Sequence, residues 1–600
     1  MTRPTRLAAS LAALLATGAF VPAPALAQYA WSDDEVTSSS SRGSQRQGVP
    51  ASGNDQYSGG YGDAYGDGYG DDTTTSGDAR PEGAPTRQRL RVTPYIEANQ
   101  VVTQEIRPGS DTDFYGQVAA GVDASVQGRR GGGSVSLRYD RVISYGDDVA
   151  DSDSVSGIAR GYVAVAPGLS VEAGGLAARS RASGGGGTVL ASGQPIDDES
   201  EARTYGVYAG PTFSRRIGAA DVSANYRFGY SRVEEPGVGV IDDTVTPVDV
   251  ASESYVHSAS ARVGVAPGAV LPVGVAVGGG AYQEEVSNSD QRVRDVYGRG
   301  DVTVPVGAGF AVVGGGGYEY VEISNRDVLR DETGAPIVGS DGRFQTDESG
   351  PRRIAFETEG LIWDVGVVWK PSRRTQLEAH YGRRYDSDTY YGSFAWQPSS
   401  RSSVNASVYD SVSGFGGTIT NGLANLPSGF VASRNGLTGD FTGCVTGTGE
   451  ETSANCLGGA LSSVRGAVFR NRGGQLSYST SRGRLSTGMA VGYDRRTFFG
   501  AEGTALAAGN GAVDESYYAN IGMGIALDGR SSVNLNSYAS YLDQGGSDLN
   551  DALLLGASAA YSRTLFRNLS ARAAVSVDHI DSVDIDETNA SALVGVRYDF

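Results

Sequence analysis

From Arg89 to Phe600 the chain repeats one pattern: a segment of about 10 to 15 residues with alternating apolar and polar side chains, then a turn or polar loop, then another such segment. Successive side chains of a strand point to opposite faces, so a period of two describes strands with one apolar and one wet face. In Asp221 to Val233, the residues Val222, Ala224, Tyr226, Phe228 and Tyr230 alternate with Ser223, Asn225, Arg227, Gly229 and Ser231. In Tyr517 to Leu527, Tyr517, Ala519, Ile521, Met523 and Ile525 alternate with Tyr518, Asn520, Gly522, Gly524 and Ala526. The pattern predicts about 22 strands, within a range of 18 to 24, from Arg91–Glu105 to Asn589–Phe600.

The connections narrow the architecture. Tight turns such as GRRGGG, APGL, SRRIGAA, KPSRRT, QPSSRS, SRGR, LDGRSS and LFRN stand at every second junction. The junctions between them hold most of the long or acidic segments, among them Gly146–Asp153, Ser183–Glu201, Glu234–Ala251, Asn325–Arg353, Ser413–Val464 and Asp581–Glu587. A two-step rhythm of short and long connections is that of a transmembrane antiparallel β-barrel, with short periplasmic turns and longer external loops. The rival all-β reading, a multidomain soluble sandwich, gives no reason for it. With an even number of strands, both ends of the barrel lie in the periplasm.

Composition agrees with a chain that builds no large apolar core. Hydrophobic residues make up 39% of it, with 87 Gly and 32 Tyr, and the mean hydropathy is -0.26. A membrane barrel needs only a thin outward apolar band around a polar interior. The formal net charge of -20 argues against nucleic acid as a partner and against a surface attracted as a whole to anionic lipid. Residues 1–27 read as a signal peptide: Arg3 and Arg6, an apolar stretch from Leu7 to Phe20, and Ala25-Leu26-Ala27 before Gln28. The remaining chain has no apolar run of the roughly 18 residues a spanning helix needs. The expected address is therefore the outer membrane of a Gram-negative bacterium, reached through the general secretory pathway. Residues 28–88, with Tyr57, Tyr61, Tyr65 and Tyr69 spaced among Gly and Asp, read as a disordered periplasmic tail, and residues 89–600 as the barrel.

The end of the chain, NASALVGVRYDF, carries its apolar residues on one parity and closes on an aromatic. With Val594, Val596, Tyr598 and Phe600 on that face, it resembles the C-terminal signal by which the barrel-assembly machinery recognises its clients. It is expected to pair with the first strand near Arg91–Glu105. Outer-membrane lipid and that machinery are the implied partners.

Sites for chemistry are few. Cys444 and Cys456 are the only cysteines, and in an exported chain they read as a disulfide contributing about 2–3 kcal/mol by chain entropy. A metal site would need further ligands, and His257, His380 and His579 are distant in sequence. Asp578 and His579 are strand neighbours on opposite faces, so no catalytic pair is expected there. No metal, cofactor or catalytic residue is assigned, and the chain is read as a non-enzyme. The runs Gly184–Gly187 and Gly314–Gly317 lack the following helix and Lys of a phosphate cradle. In barrel strands such runs permit bending or the close approach of a plug.

The stretch from Trp369 to Val412 resembles the repeated hairpin of a family of large outer-membrane β-barrel porins associated with exopolysaccharide or PEP-CTERM systems. The matching residues are the turn Pro371-Ser372-Arg373-Arg374-Thr375, the strand end Gly382 to Tyr385 and the second turn at Pro398-Ser399. The resemblance implies an outer-membrane barrel linked to surface-polysaccharide export, and it carries no catalytic or ligand residues. The expected function is a porin-like channel passing a hydrophilic solute or polysaccharide. Its lumen is expected to be constricted by Ser183–Glu201, Glu234–Ala251, Asn325–Arg353 and Ser413–Val464 folded inward. The alternative is a structural or surface-display barrel whose disulfide-bearing external loops mediate adhesion or recognition.

Overall fold

A computed structural model describes residues 89–146, 151–182, 188–190, 201–241, 244–339, 343–448, 454–461, 465–545, 551–582 and 586–600. The signal peptide expected at 1–27, the tail expected at 28–88, the run Gly184–Gly187 and most of the loop Ser183–Glu201 lie outside the described residues.

The main sheet holds 23 strands, of which Thr188–Leu190 only flanks the end of its neighbour; the other 22 close into a ring. In chain order these are β1 Arg89–Arg107, β2 Thr112–Gly128, β3 Gly131–Ser144, β4 Ser152–Ala166, β5 Leu169–Ala182, β6 Glu201–Ile217, β7 Ala220–Ile241 and β8 Thr244–Val265. They continue as β9 Gly274–Val286, β10 Gln291–Gly307, β11 Phe310–Asn325, β12 Arg353–Ser372, β13 Thr375–Arg384, β14 Ser387–Ser399 and β15 Ser402–Gly414. The last seven are β16 Val468–Arg482, β17 Leu485–Phe498, β18 Val513–Ala526, β19 Ser531–Gln544, β20 Ala552–Thr564, β21 Leu569–Asp581 and β22 Asp586–Asp599.

Each strand pairs antiparallel with the next, and β22 returns to β1 with Tyr95 opposite Asp599 and Gln104 opposite Ala590. At this seam the Thr103 and Ser591 hydroxyls are 3.0 Å apart, and the Phe600 amide donates to the Pro94 carbonyl. Closure leaves no sheet edge along the wall. The expected short turns gather at one end, where Gly168, Gly218, Gly268, Gly309 and Gly483 all have positive φ. Tight turns between twisted strands demand that conformation, and glycine adopts it without a Cβ clash.

The two faces of the wall invert the order of a soluble protein. On β10 the inward residues Gln291, Asp295, Arg299 and Asp301 are buried, while outward Val296, Val302 and Val304 are exposed. Along β22 and at the residue that follows it, the exposed apolar side chains are Val594, Val596, Tyr598 and Phe600. Exposed apolar and buried charged side chains are costly in water and favourable when the outside is hydrocarbon. Along β12 the outward band from Leu361 to Trp369 covers roughly 20 Å of membrane normal at usual strand rise and tilt. The chain is an outer-membrane β-barrel.

Two departures concern the rim. The predicted loop Glu234–Ala251 is a continuation of β7 and β8, paired as far as Ile241 opposite Thr244. It carries Pro236 and Pro247, which a central ladder would not accommodate. This extension rises beyond its neighbours, the last pairs being Arg203 with Glu234 and Val286 with Ser254, so it has free outer edges where proline is tolerated. The predicted loop Asn325–Arg353 stays at the external end. It bonds to the turn at 287–290 through Arg326 and Arg352 on Asp290, and to the loop after β17 through Asn325 with Thr504 and Ala501.

Candidate functional site

The segment Ser413–Val464 turns into the ring instead of standing outside it. Its first element is a helix, Phe415–Ala424, whose residues Phe415, Ile419 and Leu423 are buried against the wall. Gly416 and Gly417 let it approach closely: a Cβ there would strike Ser254, Tyr282 or Glu284. The residue before the helix, Gly414, has no side chain to cap it. The wall supplies the cap. Glu284, fully buried, accepts from the Gly414 amide at 2.6 Å and the Gly417 amide at 3.1 Å, and from the Ser254 hydroxyl at 2.7 Å. A carboxylate at this position satisfies amides that have no partner within the helix and meets the positive end of its dipole.

Beyond the helix the segment forms a small sheet of Phe430–Arg434, Phe441–Gly447 and Ala454–Cys456, then a short turn of helix at Gly458–Leu461. Its tip meets both sides of the seam. The Phe430 amide donates to the Ser134 hydroxyl, and Arg434 reaches Ser136 and Ser156 at 3.1 and 2.9 Å. Gln117 donates to the Thr438 carbonyl at 2.8 Å, Arg572 to the Gly436 carbonyl, and Leu437 packs with Val101, Tyr115, Val142, Ala574 and Leu593. The side chains of Arg179 and Asp440 pair at 2.9 Å with at most 5% exposure. On the return, Arg496 donates to the Gly459 carbonyl.

Cys444 and Cys456 face each other on neighbouring strands of this sheet, linked as a disulfide with Cα atoms 4.0 Å apart. They therefore lie within the in-folded segment, and not on an external loop as the surface-display reading expected. The reason is visible in Val445, which is buried in the same cluster as Leu176, Ala178 and Ala202 of the wall.

The lumen wall carries charge in networks. Glu97 accepts from Arg138 at 2.6 Å, Arg572 at 3.2 Å and Arg597 at 3.3 Å, and Arg138 also pairs with Asp140. On the wall formed by β8 and β10 to β13, Arg299 joins Asp301 and Asp364, Arg262 joins Asp301, and Arg384 joins Asp295 and Glu319. Here His380, which the sequence offered without any motif, lies between Asp364 at 3.0 Å and Glu378 at 3.2 Å and stacks on Tyr391. Glu378 was legible as a same-face neighbour two positions away, whereas Asp364 comes from β12 through a register the sequence does not state. His257 bonds Tyr226 at 2.9 Å and His579 bonds Thr588 at 3.0 Å. Among the described residues no group of three or more His, Cys, Asp or Glu is placed to hold a metal ion.

At the external end two contacts pinch the ring: the Val468 amide donates to the Gln291 side chain at 2.9 Å, and Asn288 donates to the Gly466 carbonyl at 3.0 Å. In the rim loop, Asp331 and Asp347 are held below the usual carboxylate range, first by the hydroxyls of Thr333 and Ser349 and then by nearby amides.

No family model matches the sequence, and no curated protein matches it. Among solved structures, the chain is similar to the FrpB iron transporter from Neisseria meningitidis, with 10% identity, 85% of this chain and 81% of that chain covered, and a TM-score of 0.40. It is also similar to the copper transporter OprC, at 12% identity, 87% and 82% coverage and a TM-score of 0.37. The siderophore receptor PirA from Acinetobacter baumannii is a third, at 10% identity, 85% and 80% coverage and a TM-score of 0.40.

Proposed function

We propose that this barrel is a porin-like channel whose lumen is narrowed by the segment Ser413–Val464, and that its cargo is hydrophilic. The observation that carries this reading is the way the segment docks. Its helix is capped by a wall carboxylate, and its tip is held by Arg179, Gln117 and Arg572, so it is tied into the lumen by polar contacts on several strands. The inward face of the wall carries Arg and carboxylate groups paired with one another where the outward face carries apolar side chains, and such a polar interior suits a hydrophilic cargo. Passage of a surface polysaccharide is supported by the hairpin resemblance at Trp369 to Val412. Replacing residues 415–464 by a short turn is expected to raise single-channel conductance in planar bilayers several-fold. An unchanged conductance would sink the reading.

Val594, Val596, Tyr598 and Phe600 are proposed to form the signal read by the barrel-assembly machinery, with membrane lipid as the lasting partner of that face. Deleting Phe600 should deplete the heat-modifiable barrel from the outer-membrane fraction, and a normal yield of it would remove the assignment.

A further inference from the structure

The outward wall of β9 to β12 holds a cavity of about 720 Å³ that neither the channel nor its in-folded segment uses. Two rows of the ladder build it. In one, Gly279, Gly298, Tyr318 and Leu361 stand side by side; in the next, Val277, Gly300, Gly316 and Trp363 do so. The walls are Val277, Tyr318, Leu361 and Trp363, with Leu361 78% exposed. The floor is bare backbone. A Cβ on Gly298 would meet nothing within 4 Å, and on Gly300 and Gly316 the nearest atoms lie 3.8 and 3.9 Å away. Packing therefore does not demand glycine at these positions, and glycine weakens a strand that a branched residue would support.

The level and charge of the groove select its occupant. It lies within the membrane-facing band, continuous with the lipid interface. One outward step above Leu361 is Glu359, which accepts from the Tyr318 hydroxyl at 3.0 Å and marks the external headgroup level. Trp369 lies three outward steps below Trp363. On β10, two outward positions above Gly298, stands the exposed side chain of Arg294, which makes no ion pair among the described residues. Its carboxylate neighbours are engaged: Glu322 by Arg292 and Tyr320, and Glu285 by Gln283. The distance from Arg294 to Gly300 is roughly 20 Å along the strand, the scale of an extended acyl chain.

We infer that this groove seats an acyl chain of an anionic, phosphate-bearing lipid of the external leaflet, with the phosphate at Arg294 and no headgroup cation to compete for it. The site is tested with the full chain carrying Phe at Trp31, Trp369 and Trp396, so that Trp363 alone reports. The protein is reconstituted in phosphatidylethanolamine vesicles containing brominated-chain phosphatidylglycerol or brominated-chain phosphatidylcholine. Half-quenching of Trp363 should need about fivefold less of the anionic lipid, the effect of one arginine at a phosphate. Gly300→Leu with Gly316→Leu should remove the preference by filling the floor. Arg294→Gln, which leaves the apolar groove intact, should bring the two curves together while quenching persists. Equal curves for both lipids in the parent protein would overturn the inference and mark ordinary lipid contact. Protection of Trp363 from both lipids, growing with protein density and relieved by the Leu pair, would overturn it in favour of a second barrel.

Discussion

Within the run Gly314–Gly317 of β11, alternate glycines face two different problems. Gly315 and Gly317 point inward: a Cβ on Gly315 would fall on the Arg299 guanidinium, which Asp301 and Asp364 hold, and one on Gly317 would strike the Gly298 carbonyl and the base of Arg299. Gly314 and Gly316 point outward onto open space in the membrane-facing band. The same residue type admits a charge on the lumen side and hollows the surface on the other. The lumen wall is thus a place where charge is retained and neutralised in pairs, and the outer wall a place where charge is absent from the band. Sequence composition averages over the two and shows only moderate hydrophobicity.

Three substitutions or conditions sharpen this contrast. The largest expected effect is on the lumen side. Arg138→Met leaves Asp140 and part of Glu97 buried without their cation, which should lower unfolding stability by about 3–5 kcal/mol. Urea titration of the purified barrel measures it, and a loss under about 1 kcal/mol would mean that water reaches these carboxylates. Next comes the outer wall. Val365→Arg places a charge in the middle of the band and should cost about 2–4 kcal/mol in a bilayer-refolding equilibrium. A neutral outcome would move the membrane boundary down β12. The smallest effect belongs to the rim, where neither wall applies. The depressed carboxyls of Asp331 and Asp347 contribute stability that is complete above the ordinary value of 3.8 and is lost as pH falls below it. Hydrogen-exchange protection of the Thr333, Ala335, Ser349 and Gly350 amides, taken against the intrinsic rate at each pH, should fall only in that acid range. Loss of protection already near neutral pH would assign the order of the loop to other groups.

Much of the barrel is legible in the amino-acid pattern. The strands expected at Arg91–Glu105, Tyr517–Leu527 and Asn589–Phe600 appear as Arg89–Arg107, Val513–Ala526 and Asp586–Asp599. The closing pair of first and last strands follows from the parity of NASALVGVRYDF. The clearest boundary error is the extension of β7 and β8, where Glu234–Ala251 was expected as a loop and is paired as far as Ile241 opposite Thr244. The lumen site was legible only as a long insertion with two cysteines. Nothing in FGGTITNGLA names Glu284 as its cap, since the two are brought together by an inward turn of 130 residues' separation.

The sequence by itself determined an antiparallel wall with an apolar outside, because a period of two and a rhythm of tight turns and long loops leave few other ways to satisfy the backbone. Only the tertiary structure decided which long connection enters the lumen, which charges pair across it and which glycines face the membrane. Those outcomes depend on strand register and on contacts between residues far apart in the chain, and neither is encoded in any local pattern.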